Sequence, residues 1–248
     1  MKKLIIILFL SISFVGLCQT KPLEKEKRFA IGINYSIDRT FRTLKPDNSS
    51  NSAAVKISRD SREVPSINFT SGIGFSYKIS KTFSTEIGVI YARNGYQTEE
   101  NNLTFSNLEN LRRGYQDSND SPVTGNLVYN LDYLNIPLKL RTYILNRKVR
   151  FFVEGGLSTN INLKNKIVIN MVNADGYKES FTGGDMGGNV SKINMAFILG
   201  VGADYTFKEN YVIRLVPTYR RSITQVAKWV NKEYLYSYGI NLGLHYKF

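Results

Sequence analysis

From Phe29 onward, apolar residues alternate with polar or small ones at a period of two. Phe29-Ile31-Ile33-Tyr35-Ile37 opposes Ala30-Gly32-Asn34-Ser36-Asp38. Ile67-Phe69-Ser71-Ile73-Phe75-Tyr77-Ile79 and Phe83-Thr85-Ile87-Val89-Tyr91 repeat the pattern. So do Leu134-Ile136-Leu138-Leu140, Phe151-Val153-Gly155-Leu157, Met195-Phe197-Leu199-Val201-Ala203-Tyr205-Phe207 and Tyr211-Ile213-Leu215-Pro217-Tyr219. The last segment carries Tyr234, Tyr236, Tyr238, Ile240, Leu242, Leu244, Tyr246 and Phe248 on one face. A helix would scatter these residues around its axis, whereas a strand collects them on one side. The pattern predicts eight strands over 28–40, 67–80, 83–96, 128–144, 149–163, 192–207, 211–224 and 233–248. Pro137 and Pro217 remove ladder donors in mid-strand and predict a bulge or local bend at each.

The connections alternate as well. Residues 41–66, 97–127 and 164–191 are long and read as loops, 225–232 is intermediate, and 81–82, 145–148 and 208–210 are tight turns. Long and short connections therefore fall at opposite ends of the strands. Aromatic residues crowd the short-turn end, and Tyr91, Tyr219, Tyr234 and Tyr236 mark the other, as two lipid–water boundaries require. The expected fold is all-β: an eight-stranded antiparallel up-and-down transmembrane β-barrel with long extracellular loops, short periplasmic turns and both termini periplasmic. A soluble sandwich does not explain an aliphatic middle between two aromatic ends, and its strands are usually shorter. A soluble ligand-binding barrel would turn its apolar face inward.

In hydrocarbon the backbone must be fully paired and charges cannot face lipid cheaply. The inward set holds Lys78, Glu86, Lys139, Arg141, Arg150, Glu154, Asp204, Arg214 and Arg220. These are expected to form an interior ionic network in which Glu86, Glu154 and Asp204 neutralise some of the cations. Inward glycines (Gly72, Gly74, Gly88, Gly156, Gly200, Gly202, Gly239 and Gly243) are expected to make room for the long side chains. A narrow barrel is nearly filled by its own side chains, so a solute conduit is the lesser alternative.

The N-terminus reads as an address. Lys2 and Lys3 precede an apolar run from Leu4 to Val15, and Gly16-Leu17-Cys18 offers a cleavage site before Gln19. Residues 1–18 are thus expected to be a secretory signal peptide and 19–248 the barrel domain. Lipidation at Cys18 is disfavoured by Leu17. The 248 residues carry a formal charge of +13, which falls by two to +11 with the leader. One Cys and one His exclude a disulfide framework and a His-rich metal site. No cofactor is expected. The positive charge is spread over loops and strand interiors of an exported chain, which argues against nucleic acid. Arg59, Arg62, Arg112 and Arg113 lie in the long loops, where lipopolysaccharide would be the nearest anion.

A C-terminal Tyr246-Lys247-Phe248 with aromatics on the lipid face resembles the insertion signal read by the barrel assembly machinery. The run Asp132-Tyr133-Leu134-Asn135-Ile136-Pro137-Leu138-Lys139-Leu140 resembles the Tyr-Leu-x-Ile-Pro-Leu strand of PorT-like outer-membrane β-barrel proteins of Bacteroidota. That resemblance implies an outer-membrane location and a link to secretion or a surface complex, and it supplies no catalytic residues. A lipid-modifying hydrolase or acyltransferase would need an activated nucleophile. The sole His245 sits near the end of the last strand, where it is expected to be a satisfied interior group. Gly183-Gly184-Asp185-Met186-Gly187-Gly188 falls in an expected loop rather than between strand and helix, so it is no phosphate loop. The expected role is non-enzymatic: structural, surface-binding or secretion-associated, exercised through the long loops.

Overall fold

The computed structural model describes residues 27–47, 49–102, 122–144, 148–173, 176–184 and 189–248. The leader, Cys18, Arg112, Arg113 and the segment 185–188 lie outside these residues. The strands are β1 (Phe29–Pro46), β2 (Glu63–Lys78), β3 (Phe83–Thr98), β4 (Asn101–Asn102), β5 (Pro122–Tyr143) and β6 (Val149–Asn173). They continue with β7 (Lys178–Gly184), β8 (Ile193–Phe207), β9 (Tyr211–Ser222), β10 (Ala227–Lys228) and β11 (Asn231–Lys247). Among the described residues one helix, α1 (Ser50–Asp60), joins β1 to β2. Among the described residues no helix is long and apolar enough to cross a membrane.

The expected eight-stranded barrel is corrected. The sheet has eleven strands, and over all eleven it is not a closed ring. Its hydrogen-bonded path runs β4-β5-β3-β2-β1-β11-β9-β8-β6-β7, with β10 beside β11. The path ends at β4 and β7, which do not pair with each other. Within that path β5 also pairs with β6, from Pro122↔Asn173 to Tyr143↔Phe152. Each long strand therefore has a partner on both sides.

The additional strands arise where outward apolar alternation stops being the guide. The expected loop 164–191 contains the last ten residues of β6 and all of β7, with Gly183 and Gly184 ending that strand. Likewise β5 begins at Pro122, before the predicted 128. These extensions pair strongly backbone to backbone, yet both of their faces are mixed in polarity.

The two prolines do not break register. Pairs Ile87↔Leu138 and Ile90↔Asn135 bracket Pro137 in one register, as Gly200↔Thr218 and Ala203↔Leu215 do for Pro217. One missing donor per strand leaves the ladders on either side intact. Irregularities fall instead between Pro65 and Thr70 of β2 and between Asp132 and Tyr133 of β5. At the short-turn end, Ser80 Oγ accepts from the backbone N–H of Thr82 and Phe83, closing the β2–β3 turn. Lys208 and Glu209 close the β8–β9 turn in left-handed conformation, φ 46° and 59°. Two consecutive left-handed residues match the twist of a tight hairpin.

Burial is inverted relative to a water-soluble fold. Ile33 is 63 % exposed, while Arg141 is 1 % and Asp204 0 % exposed. Period-two alternation puts the aliphatic set outside and the charges inside. Among the described residues, buried apolar packing forms two clusters. Tyr143, Phe152 and Val216 lie toward the short-turn end, and Tyr96, Leu131, Tyr133, Val226 and Leu235 toward the loop end.

Candidate functional site: a layered polar interior

The interior is built in three layers. The layer nearest the short turns is ionic. Glu86 of β3 accepts from Lys139 Nζ at 2.6 Å, Arg141 Nη2 at 3.2 Å and the Arg214 guanidinium. Ser76 Oγ adds a fourth donor at 3.0 Å. Glu154 of β6 accepts from Arg141 at 2.6 Å and lies 3.5 Å from Lys139. Asp204 of β8 takes a forked pair from Arg214, at 2.7 Å and 3.0 Å, and the Tyr143 hydroxyl at 2.8 Å. Arg150 stands 3.6 Å from Asp204 and lies over the Tyr143 ring. Phe152 lies under the Arg141 guanidinium, 4.6 Å from its centroid. Three acids face four bases, so the cluster keeps one positive charge.

The topology gives this cluster a particular meaning. Counted along the pairing order, β3 and β9 are four strands apart in both directions. The Glu86–Arg214 pair therefore spans the lumen rather than bridging neighbours. Arg141 of β5 fills the space beside it. Seven of the nine residues expected in the network meet here. Lys78 lines the cavity on the short-turn side of this cluster, together with Arg150 and His245. Arg220 is elsewhere: it donates at 2.7 Å to Asp38, which also accepts from Ser36 Oγ. Sequence reasoning left Asp38 out of the network, although it lies on the inward face of β1.

The middle layer is rich in amides, although Lys139, Glu154 and Arg220 also reach its cavity. Asn34, Tyr133, Asn135, Asn160, Asn194 and Asn241 line a cavity of about 60 Å³ above the ionic cluster. Ser158 donates to Asn160 Oδ1, and Asn160 Nδ2 donates to Asn194 Oδ1. The Tyr133 hydroxyl, Asn135 Oδ1 and both amide atoms of Asn34 are buried without a hydrogen-bond partner.

Several inward glycines, Gly74, Gly200, Gly239 and Gly243 among them, make room for side chains as expected. A Cβ on Gly239 would collide with the Asp38 carboxylate, and one on Gly243 would meet His245 Nε2 at 2.6 Å. By contrast, Gly72 and Gly156 face the backbone of the adjacent strands, not long side chains. His245 is buried as expected, but neither ring nitrogen has a hydrogen-bond partner, so it is not a satisfied polar group.

The third layer, at the loop end, was missed from sequence. Helix α1 starts at Ser49, whose hydroxyl accepts from Ser52 N, and it ends in Arg59 and Asp60. Arg59 Nε donates to Glu63 at 2.6 Å, its Nη2 donates to the Tyr96 hydroxyl at 2.8 Å, and it pairs with Glu233. Tyr96 in turn donates to Glu233 at 3.1 Å. Arg42 of β1 reaches Glu63 at 2.6 Å and also pairs with Asp60, which Lys56 holds as well. Burial opposes the Arg59 charge, but the Glu63 hydrogen bond and the negative field and hydrogen bond of Glu233 outweigh it and raise its pKa. Burial raises the Asp60 pKa, but the Arg42 and Lys56 hydrogen bonds outweigh this and hold it below the ordinary 3.8. Of the arginines assigned to exposed loops, Arg59 is thus spent on ion pairs, while Arg62 is exposed. Arg42 lies on an inward alternation that continues past the predicted end of the first strand, and Glu233 is the first residue of the predicted last strand, on its inward face.

Comparison with known proteins now decides the family. Residues 18–248 match the model of the outer membrane protein beta-barrel domain. The chain belongs to the outer-membrane β-barrel family. Membership in the β-barrel family places the chain in the outer membrane and gives it a membrane-associated role. No curated protein matches it. Among solved structures, OprG from Pseudomonas aeruginosa is 14 % identical with a TM-score of 0.49, over 90 % of this chain and 96 % of that one. Neisserial surface protein A is 14 % identical with a TM-score of 0.44, over 89 % and 97 %. The attachment invasion locus protein of Yersinia pestis is 12 % identical with a TM-score of 0.38, over 89 % and 99 %.

Proposed function

We propose that this family member is a non-enzymatic integral outer-membrane protein that works through its loop-end surface, as a structural, surface-binding or secretion-associated component. The observation that carries this reading is the lumen-spanning Glu86–Arg214 pair with Arg141 beside it. Ion pairs tying opposite walls occupy the space a solute would need, so the conduit reading loses ground. The wall is spent on holding a shape, and the long connections with their ion-paired helix remain as the working face.

In this reading residues 1–18 are a signal peptide and 19–248 the membrane domain, with both termini in the periplasm. Pairing of β1 with β11, Ala30↔Lys247 through Pro46↔Asn231, sets the two ends side by side at the short-turn end. Tyr246 and Phe248 face outward there and serve as the insertion signal for the assembly machinery. The Ile-Pro-Leu strand supports a PorT-like relative from Bacteroidota and a secretion or surface complex as partner. Lipopolysaccharide is the proposed lipid partner.

Fractionation and pull-down test this. The full chain should sediment with outer membranes, resist carbonate extraction and require detergent for release. A tagged chain captured from detergent-solubilised outer membranes should bring down a defined surface or secretion component, and deletion within 103–121 should abolish that capture. Quantitative release in buffer would sink the membrane reading, and an unchanged capture after deletion would sink the loop-end role.

A further inference from the structure

The outward faces of three strands share a spacing that the function proposed above does not use. On β1 the outward row runs Phe29, Ile31, Ile33, Tyr35, Ile37 and then Arg39. On β3 it runs from Phe83 to Arg93, and on β9 from Tyr211 to Arg221. In each case an aromatic ring is followed ten residues later by an arginine on the same face. Ten residues at roughly 3.3 Å each, tilted by about 40°, rise roughly 25 Å, the height of a barrel's apolar band. Arginines at that height belong to the level of lipid headgroups, since in mid-membrane they would be costly.

One of these positions is a built groove. Arg39, Arg93, Ile67, Phe69, Gln97 and Asn130 line an outward recess across β1, β2, β3 and β5. It coincides with the register shift between Pro65 and Thr70 of β2, where a bulged strand bends away from its neighbour. Asp132 fixes Arg93 by accepting from Nε at 2.8 Å and Nη2 at 3.4 Å. Phe69 carries the Arg93 guanidinium on its face, 5.8 Å from the centroid. Arg39 is exposed and has no ion-pair partner among the described residues, so its charge is uncompensated. Apolar Ile37, Ile67 and Phe69 continue from the guanidinium toward the membrane band.

We infer that this groove binds the phosphate of an outer-leaflet glycolipid, with Arg39 as the principal anion contact and Ile67 and Phe69 against its acyl region. A cation placed at the top of an apolar slot fits an amphiphile with a phosphorylated head better than a free anion. The inference rests on the membrane reading above and deepens its lipid partner.

The test uses the full chain in detergent, titrated with bisphosphorylated lipid A and with the same lipid after dephosphorylation, and read by native mass spectrometry. Wild type should prefer the phosphorylated lipid. Arg39→Gln should weaken that binding about 5-fold, the scale of one arginine at an anionic surface. Arg39→Lys should restore most of it, and Lys178→Gln, an equal charge loss at an exposed site off the groove, should leave it unchanged. Inorganic phosphate at the same concentration should not compete. Equal binding of dephosphorylated lipid, equal losses in Arg39→Gln and Lys178→Gln, or full competition by inorganic phosphate would each overturn the inference. A chain that needs detergent but shows no phosphate preference fails this inference alone. One that leaves the membrane in buffer fails the membrane reading.

Discussion

The two ionic clusters differ in what they tie together. At the short-turn end every member is on a strand of the wall, and the acids Glu86, Glu154 and Asp204 are almost wholly buried. At the loop end the partners join a helix to the wall, and the Asp60 side chain is 37 % exposed. The first cluster has three acids against four bases. The second balances Asp60, Glu63 and Glu233 against Arg42, Lys56 and Arg59. Removing water from charges is expensive, and a buried pair tolerates the loss of one partner badly. The same residue types therefore do different work: a brace in one place, a fastening for a peripheral element in the other.

The largest expected effect is on the brace. Glu86→Gln keeps the shape but leaves Lys139, Arg141 and Arg214 under-compensated in the interior. It should cost about 3–5 kcal/mol, measured as a lower urea midpoint for unfolding in micelles. A cost below about 1 kcal/mol would show that the lumen is wet enough to screen its charges. Next is Gly243→Ala, whose new methyl meets the His245 ring. Overpacking of this kind should cost about 1–3 kcal/mol in the same assay, with no change in protease access to α1.

The fastening should respond locally. Arg42→Gln removes the wall partner of Asp60 and one donor to Glu63. Global stability should fall by only about 1–2 kcal/mol, while amide exchange within α1 rises and the short-turn end is unaffected. If both ends change together, the two clusters are one cooperative unit. A pH titration sharpens the same point. The Asp60 pKa is held below 3.8, so its contribution is present above that value and lost as pH falls through the folded pKa. Protection of α1 should therefore drop selectively as pH falls below 3.8, after correction for intrinsic exchange. The smallest effect is Ser49→Ala, which removes the helix cap and should cost α1 about 0.5–1 kcal/mol without touching the brace.

How much of this could be read from sequence follows the same division. Where lipid-facing and interior positions alternate, a charge such as Glu154 between Val153 and Gly155 stands out, and the brace residues could be picked individually. Past the apolar band the rule loses its contrast. β6 runs on through Lys164-Asn165-Lys166-Ile167 with both faces mixed, so its last ten residues read as loop. Helix α1 carries no apolar stripe in Ser50-Asn51-Ser52-Ala53-Ala54, and it is held by distant partners such as Glu233, which no local pattern announces. Asp38 was visible on its face but could be paired with Arg220 only once β1 and β9 were known to flank β11. At Pro137 and Pro217 the ladder has a gap but no shift of register, so one absent donor weakens pairing without making a bulge.

The Glu86–Arg214 pair also bears on the order of assembly. Its residues are 128 positions apart in the chain and four strands apart by either route. Neighbouring strands can zip locally, but this contact waits until first and last strands have met. Until then its charges require a hydrated environment, and afterwards they are locked away from it. The pair thus marks completion, since its two carriers face each other only once the strands between them are paired.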